Sequence, residues 1–196
     1  VADLDGDMVA DIVALGADGS MWAFKKPVGA LAWSVLWHAP LPVGAPWAAC
    51  NTVNHRCSLG WGGPSIHDLD DDGVPEVIRE GVVFNGLDGA LKSGPPPAYA
   101  SYGQGQFPVL ANLDTDPAIE LTNGASIWEF VAGAWAPNTP AYTGFNGYPA
   151  VADFGAFGAG LPAKNPEIAI VGASTVRVLA ADGSVAMPPI AVPGAG

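Results

Sequence analysis

The feature that most constrains the fold is a short acidic segment that recurs four times, each time followed by an apolar run. The copies open on an oxygen-bearing side chain at the same place: Asp3, Asp68, Asn112 and Asp153. Successive copies are separated by 65, 44 and 41 residues. A period just above forty residues is typical of a four-stranded repeat unit, and such units become stable only by stacking on one another.

The repeats predict one β-propeller segment over residues 1–196, with units at 1–62, 63–106, 107–147 and 148–196. An insertion over residues 25–61 lengthens the first unit. Within a unit, a short strand leads into the acidic loop, and three further strands follow with tight turns between them. Glycine or proline interrupts every candidate helix, so the fold class is all-β. Four-stranded sheets stacked radially give a β-propeller.

The charge of the chain excludes some partners. The formal net charge is −12, from 19 acidic and 7 basic side chains. Without a basic stripe, neither nucleic acid nor an anionic membrane surface is an expected partner. No apolar run reaches the length of a membrane span, so membrane insertion is not expected. Twelve of the 19 acids lie in the first three loops, where they repel one another unless a cation lies among them.

Each of these three loops offers oxygens at alternating positions, closed by a further acid. The predicted ligands of the first loop are Asp3, Asp5, Asp7, the Val9 carbonyl and Asp11. Those of the second are Asp68, Asp70, Asp72, the Val74 carbonyl and Glu76. Those of the third are Asn112, Asp114, Asp116, the Ala118 carbonyl and Glu120. Flexible sets of carboxylate and carbonyl oxygens suit Ca²⁺ better than Mg²⁺, so calcium is the predicted cofactor.

The loops are not expected to be equal. Asn112 replaces a carboxylate by an amide, so weaker binding is expected in the third loop than in the first two. The fourth loop has Gly155 and Phe157 where the others have acids, and no calcium is expected there. Solvated acidic turns are the alternative interpretation, because Asp and Gly are favoured in turns. Three loops in register, each before an apolar strand, favour metal sites.

The segments from Asp3 to Asp11 and from Asp68 to Glu76 resemble the signature Asp-x-Asp-x-Asp-Gly-x-x-Asp of the FG-GAP and VCBS repeat families. These families form calcium-loop β-propellers, as in integrin α-subunit heads and many secreted bacterial proteins. The resemblance covers nearly the whole chain outside the insertion, and it implies an extracellular or cell-surface location. Members usually close about seven blades, so four repeats imply part of a larger ring or of a longer chain.

The insertion contains both cysteines and four of the seven tryptophans. A disulfide between Cys50 and Cys57 is the favoured interpretation, with free thiols or a metal site as alternatives, and it implies an oxidising compartment. The insertion is either an elaborated outer strand with a stapled loop or an aromatic recognition loop. The tryptophans that could contact a ligand are Trp33, Trp47 and Trp61.

Three classes of function fit this sequence. The leading prediction is a calcium-stabilised extracellular module that binds a protein or carbohydrate ligand in adhesion. The alternative is a structural subunit of a secreted or cell-surface assembly that associates with itself. An accessory or catalytic part of a polysaccharide-active enzyme is the third. No Gly-x-Ser-x-Gly or His-Glu-x-x-His motif occurs, and metal-bound acids cannot act as proton donors, so the chain is predicted not to be an enzyme.

Overall fold

A computed structural model describes residues 1–45, 63–97, 99, 108–138, 147–155, 165–172 and 174–193. These residues form fifteen β-strands and no helix, which confirms the all-β prediction. Accordingly, they include no helix long and apolar enough to cross a membrane. The predicted Cys50–Cys57 disulfide and two of the candidate ligand-binding tryptophans, Trp47 and Trp61, lie outside the described residues.

The strands form four antiparallel sheets, numbered 1 to 4 along the chain. Sheet 1 contains β1 (Ile12–Leu15), β2 (Met21–Lys25) and β3 (Ser34–Ala39). Sheet 2 contains β4 (Ser65–His67), β5 (Glu76–Arg79), β6 (Val82–Asn85) and β7 (Leu91–Ser93). Sheet 3 contains β8 (Val109–Ala111), β9 (Glu120–Thr122), β10 (Ile127–Val131) and β11 (Ala134–Pro137). Sheet 4 contains β12 (Tyr148–Ala152), β13 (Glu167–Gly172), β14 (Thr175–Leu179) and β15 (Val185–Ala191).

Local sequence explains why these segments form meanders. In β2, Met21 and Ala23 are fully buried while the alternate residues Trp22 and Phe24 are partly exposed, which is the period of a sheet with two different faces. The turn before β2 is closed by the Gly16 N–H, which donates to the Ser20 carbonyl at 2.7 Å. Within each sheet, strands that are consecutive in the sequence are hydrogen-bonded neighbours.

The chain divides into two compact units. The first is Val1–Gln106 with Ala132–Ala134, and the second is Phe107–Val131 with Trp135–Gly196. In the first unit, sheets 1 and 2 share one core, in which the Trp37 Nε1–H donates to the Gly86 carbonyl at 2.6 Å. In the second unit, Ile127 of sheet 3 packs with Ile168, Ile170 and Leu179 of sheet 4. Stacking of neighbouring sheets is therefore observed within each unit, and the radial arrangement of a propeller stays a prediction.

The acidic segments occupy the same place in the sheets. The second, third and fourth each connect the first strand of a sheet to its second, joining β4 to β5, β8 to β9 and β12 to β13. In sheet 1, an isolated bridge between Ala2 and Asp11 stands where the first strand would be. The second, third and fourth loops are therefore held at both ends by a β-ladder, and the first is held by the Ala2–Asp11 bridge.

Candidate metal centres

The three acidic loops each bring three carboxylates together. The groups are Asp3, Asp5 and Asp11; Asp68, Asp70 and Glu76; and Asp114, Asp116 and Glu120. In each group, one oxygen per carboxylate can be chosen so that all three lie within 4.8 Å of one another. Oxygens on opposite sides of a Ca²⁺ ion are about 4.6–5.2 Å apart, so each set fits around one ion. All three clusters could therefore hold a metal ion.

The acid that closes each loop is fully buried. It accepts a backbone hydrogen bond from the start of its own loop, a contact that we call the brace. One oxygen each of Asp11, Glu76 and Glu120 accepts the N–H of the leucine that follows the first loop position. The donors are the N–H groups of Leu4, Leu69 and Leu113, and the N···O distances are 2.8, 2.7 and 2.6 Å respectively. The leucine side chains are buried as well, so the brace draws the loop onto the core. The sequence predicted these acids as ligands and missed this second role.

The fourth loop keeps the brace, although its described residues form no three-carboxylate cluster. Glu167 is buried, and its Oε2 accepts the Phe154 N–H at 2.8 Å. Glu167 holds this position although residues 156–166 separate it from Gly155. The brace is thus a property of the repeat itself, because it forms in a loop that lacks the middle acids.

The second oxygen of the closing acid differs between loops. Asp11 Oδ1 and Glu120 Oε1 are buried and have no hydrogen-bond partner. Burial raises the pKa of Glu120 to about 7, although the bond from Leu113 opposes the shift. Burial likewise raises the pKa of Asp11, against the bond from Leu4. A buried carboxylate oxygen without a partner is costly, and a cation among the loop acids would satisfy it.

Two lysines that the loop motif does not include contact the first two clusters. Lys25 Nζ lies 2.9 Å from Asp5 Oδ2 in the first loop. In the second loop, Lys92 Nζ lies 2.9 Å from Asp70 Oδ2 and 2.6 Å from Glu76 Oε1. Burial opposes the charge of Lys92, but these two carboxylates outweigh it and raise its pKa. Both lysines come from strands distant in the chain, so loop sequence alone cannot indicate them.

In the first two loops, the carboxylate at the third predicted ligand position accepts a hydrogen bond from the backbone. Asp7 Oδ1 accepts the Val9 N–H at 2.8 Å, and Asp72 Oδ1 accepts the Val74 N–H at 2.7 Å. Asp7 and Asp72 do not join the three-carboxylate groups, whereas Asp116 in the third loop does. Carbonyl ligation by Val9, Val74 and Ala118 stays a prediction. The Asn112 amide donates to the Asp116 carbonyl and so closes the third loop on itself.

The first acid of a loop organises its backbone. Asp3 accepts the N–H groups of Gly6, Asp7 and Met8 at 2.8, 3.1 and 2.8 Å. Asp68 likewise accepts two backbone N–H groups from its own loop. Met8 has a φ of 66°, a left-handed conformation that non-glycine residues seldom adopt. These hydrogen bonds therefore hold the loop around its first carboxylate without the help of an ion.

Neither a family model nor a curated protein sequence matches the chain, so the FG-GAP and VCBS resemblance rests on the loop motif. Among solved structures, the biofilm matrix protein Bap1 of V. cholerae matches 94% of this chain with a TM-score of 0.54 and 18% sequence identity. The match spans 26% of the Bap1 chain, about a quarter of its length. At this identity the similarity concerns the fold alone.

Proposed function

We propose that this chain is a calcium-stabilised extracellular adhesion module, built as part of a β-propeller, that binds a carbohydrate or protein component of a matrix. The observation that carries the proposal is the fold match over 94% of the chain to a biofilm matrix protein. The net charge of −12 supports a ligand other than a polyanion. The repeated acidic loops supply the calcium part of the proposal.

Calcium has a structural role in this proposal. Each cluster crowds three carboxylates at the junction of two strands, and the closing acid is buried there. An ion that bridges them removes the repulsion and ties both ends of the loop together. Calcium concentrations outside cells are high enough to fill sites of moderate affinity, which agrees with the extracellular location that we propose.

The described surface offers one well-exposed tryptophan for ligand contact. Trp33 is 47% exposed and lies directly before β3. A rigid, half-exposed indole can stack on the apolar face of a sugar ring while its N–H remains available for a hydrogen bond. Trp33 is therefore the residue that we assign to ligand binding among those described.

Purified protein with calcium should be retained on an array of matrix polysaccharides and glycans. We expect Trp33→Ala to weaken that binding about tenfold, which corresponds to about 1.4 kcal/mol, because the stacking surface is lost. Trp33→Phe should keep most of the binding. Leu31→Ala, which changes a fully exposed side chain nearby, serves as the control. Retention on no polysaccharide, glycan or matrix protein would overturn the adhesion proposal.

A structural subunit is the second candidate, and an exposed apolar row on sheet 4 favours it. Tyr148, Val171 and Ile190 lie in one cross-strand row and are 51%, 48% and 52% exposed. A contiguous exposed apolar patch often marks an interaction surface. If the chain assembles through this face, sedimentation should show concentration-dependent oligomers that Val171→Lys abolishes. A monomer at all concentrations would exclude assembly through this face.

A further inference from the structure

We propose that the ammonium group of Lys92 takes the place of a metal ion in the second acidic loop, so that calcium binds the first and third loops only. This inference rests on the calcium binding proposed above. It also changes the order expected from the sequence, in which the third loop was the weakest because of Asn112. The second loop becomes the one that holds together without metal.

The contacts of Lys92 are those of an internal cation. Its Nζ lies 2.6 Å from Glu76 Oε1 and 2.9 Å from Asp70 Oδ2, which are two of the three clustered carboxylates. Glu76 Oε2 already accepts the Leu69 N–H. Both oxygens of this fully buried carboxylate are therefore satisfied within the protein. An ammonium has three donors, and two of them are engaged here.

The third loop presents the opposite arrangement. Glu120 is equally buried and clusters with Asp114 and Asp116, but its Oε1 has no hydrogen-bond partner. The described part of the second unit contains no lysine, and no ion pair is formed there with this cluster. The β-ladder also places Glu129 directly opposite Glu120, which adds a further acid beside the loop. A bound cation would therefore neutralise more unpaired carboxylate charge in this loop than in the other two.

The first loop lies between these extremes. Lys25 reaches only Asp5, at 2.9 Å, and Asp11 Oδ1 keeps no partner. In sheet 1, Ile12 pairs with Phe24, so the register places Lys25 opposite the closing acid Asp11. In sheet 3, the residue opposite the closing acid Glu120 is Glu129. An ion can enter the first loop while Lys25 moves outward. In the second loop an ion must displace Lys92 from two charge-assisted hydrogen bonds, one of them to a buried acid.

Calcium titration of the chelator-treated protein by calorimetry tests the inference. We expect about two ions per chain in the native protein. Lys92→Met removes the ammonium but keeps the length of the side chain, and should raise the count to about three. Lys26→Met removes the same charge from a lysine without an ion pair among the described residues, and should leave the count at two.

A second pair of variants shows which loops are filled. Asp70→Asn should leave the number of bound ions unchanged, whereas Asp114→Asn should remove one. Three ions in the native protein, with one lost in Asp70→Asn, would overturn the Lys92 inference and leave the calcium proposal intact. A count that stays at two in a folded Lys92→Met variant would overturn it as well. No bound calcium in the native protein would overturn the calcium part of the proposed function itself.

Discussion

Removal of calcium by excess chelator should lower the melting temperature of this protein by about 10–20 °C. A site filled at about 100 times its dissociation constant contributes about 2.7 kcal/mol, and two sites together about 5 kcal/mol. In a chain of this size, each kcal/mol shifts the melting temperature by about 2–4 °C. Circular dichroism or scanning calorimetry, with calcium and then with chelator, measures the effect.

Two controls make this result specific. Calcium added back beyond the chelator should restore the original melting temperature, while magnesium should restore little of it, because it requires a smaller and more regular octahedral site. The Asp114→Asn variant, which loses a third-loop ligand, should show a smaller calcium effect than the native protein. A melting temperature that chelation leaves unchanged would show that calcium does not stabilise this fold.

Glu120→Ala should cost about 4–6 kcal/mol of unfolding free energy in the presence of calcium. The change leaves the buried N–H of Leu113 without its acceptor, which costs about 1–3 kcal/mol. It also removes a ligand whose loss empties the third site, at about a further 2.7 kcal/mol. Denaturant unfolding with and without calcium measures both parts. Glu129→Ala, on the neighbouring strand, should have a much smaller effect because that side chain braces no loop.

Glu120→Gln separates the brace from the charge. The amide oxygen can still accept the Leu113 N–H, so without calcium this variant should be at least as stable as the native protein at pH 8. It should lose the calcium effect of the third loop. An equal calcium response in Glu120→Gln and in the native protein would contradict a role for this carboxylate in binding the ion.

The stabilities of the native protein and of Glu120→Gln should depend differently on pH. In the calcium-free protein, burial raises the pKa of Glu120 to about 7, from an ordinary value of 4.5. Between these values the folded state holds a proton that the unfolded state has released. The contribution of Glu120 to stability is therefore present at low pH and is lost as the pH rises through about 7. The native protein should lose stability over this window relative to Glu120→Gln; parallel pH profiles would refute the shift.

Much of the fold could be predicted from the sequence because its determinants are local. The strands Ile12–Leu15 and Ile127–Val131 follow the strand order that the repeat unit predicts. Apolar alternation and Asp-Gly turns define such strands and their hairpins without information from distant residues. The convergence of acids in three loops also followed from their spacing, since alternate residues of a tight turn face one point.

The order of the three sites that we propose could not be predicted from the loop sequences, because it depends on distant side chains. Lys25 lies 20 residues from Asp5, and Lys92 lies 16 residues from Glu76. Each lysine reaches its loop only because the sheet folds back. The substitution of Asn112 was the visible difference, and it suggested a weak third site. The buried Glu120 oxygen without a partner, which only the packing reveals, indicates the reverse.

A crystal grown with calcium and measured at a long wavelength shows which loops bind calcium, because the anomalous signal locates each calcium ion. The prediction is one peak in the first loop and one in the third, each surrounded by about six to eight oxygens at about 2.3–2.6 Å. The second loop should instead contain the Lys92 ammonium between Asp70 and Glu76. The absence of a peak in both the first and the third loop would contradict calcium binding by this protein, and a peak in the second loop would contradict the role of Lys92.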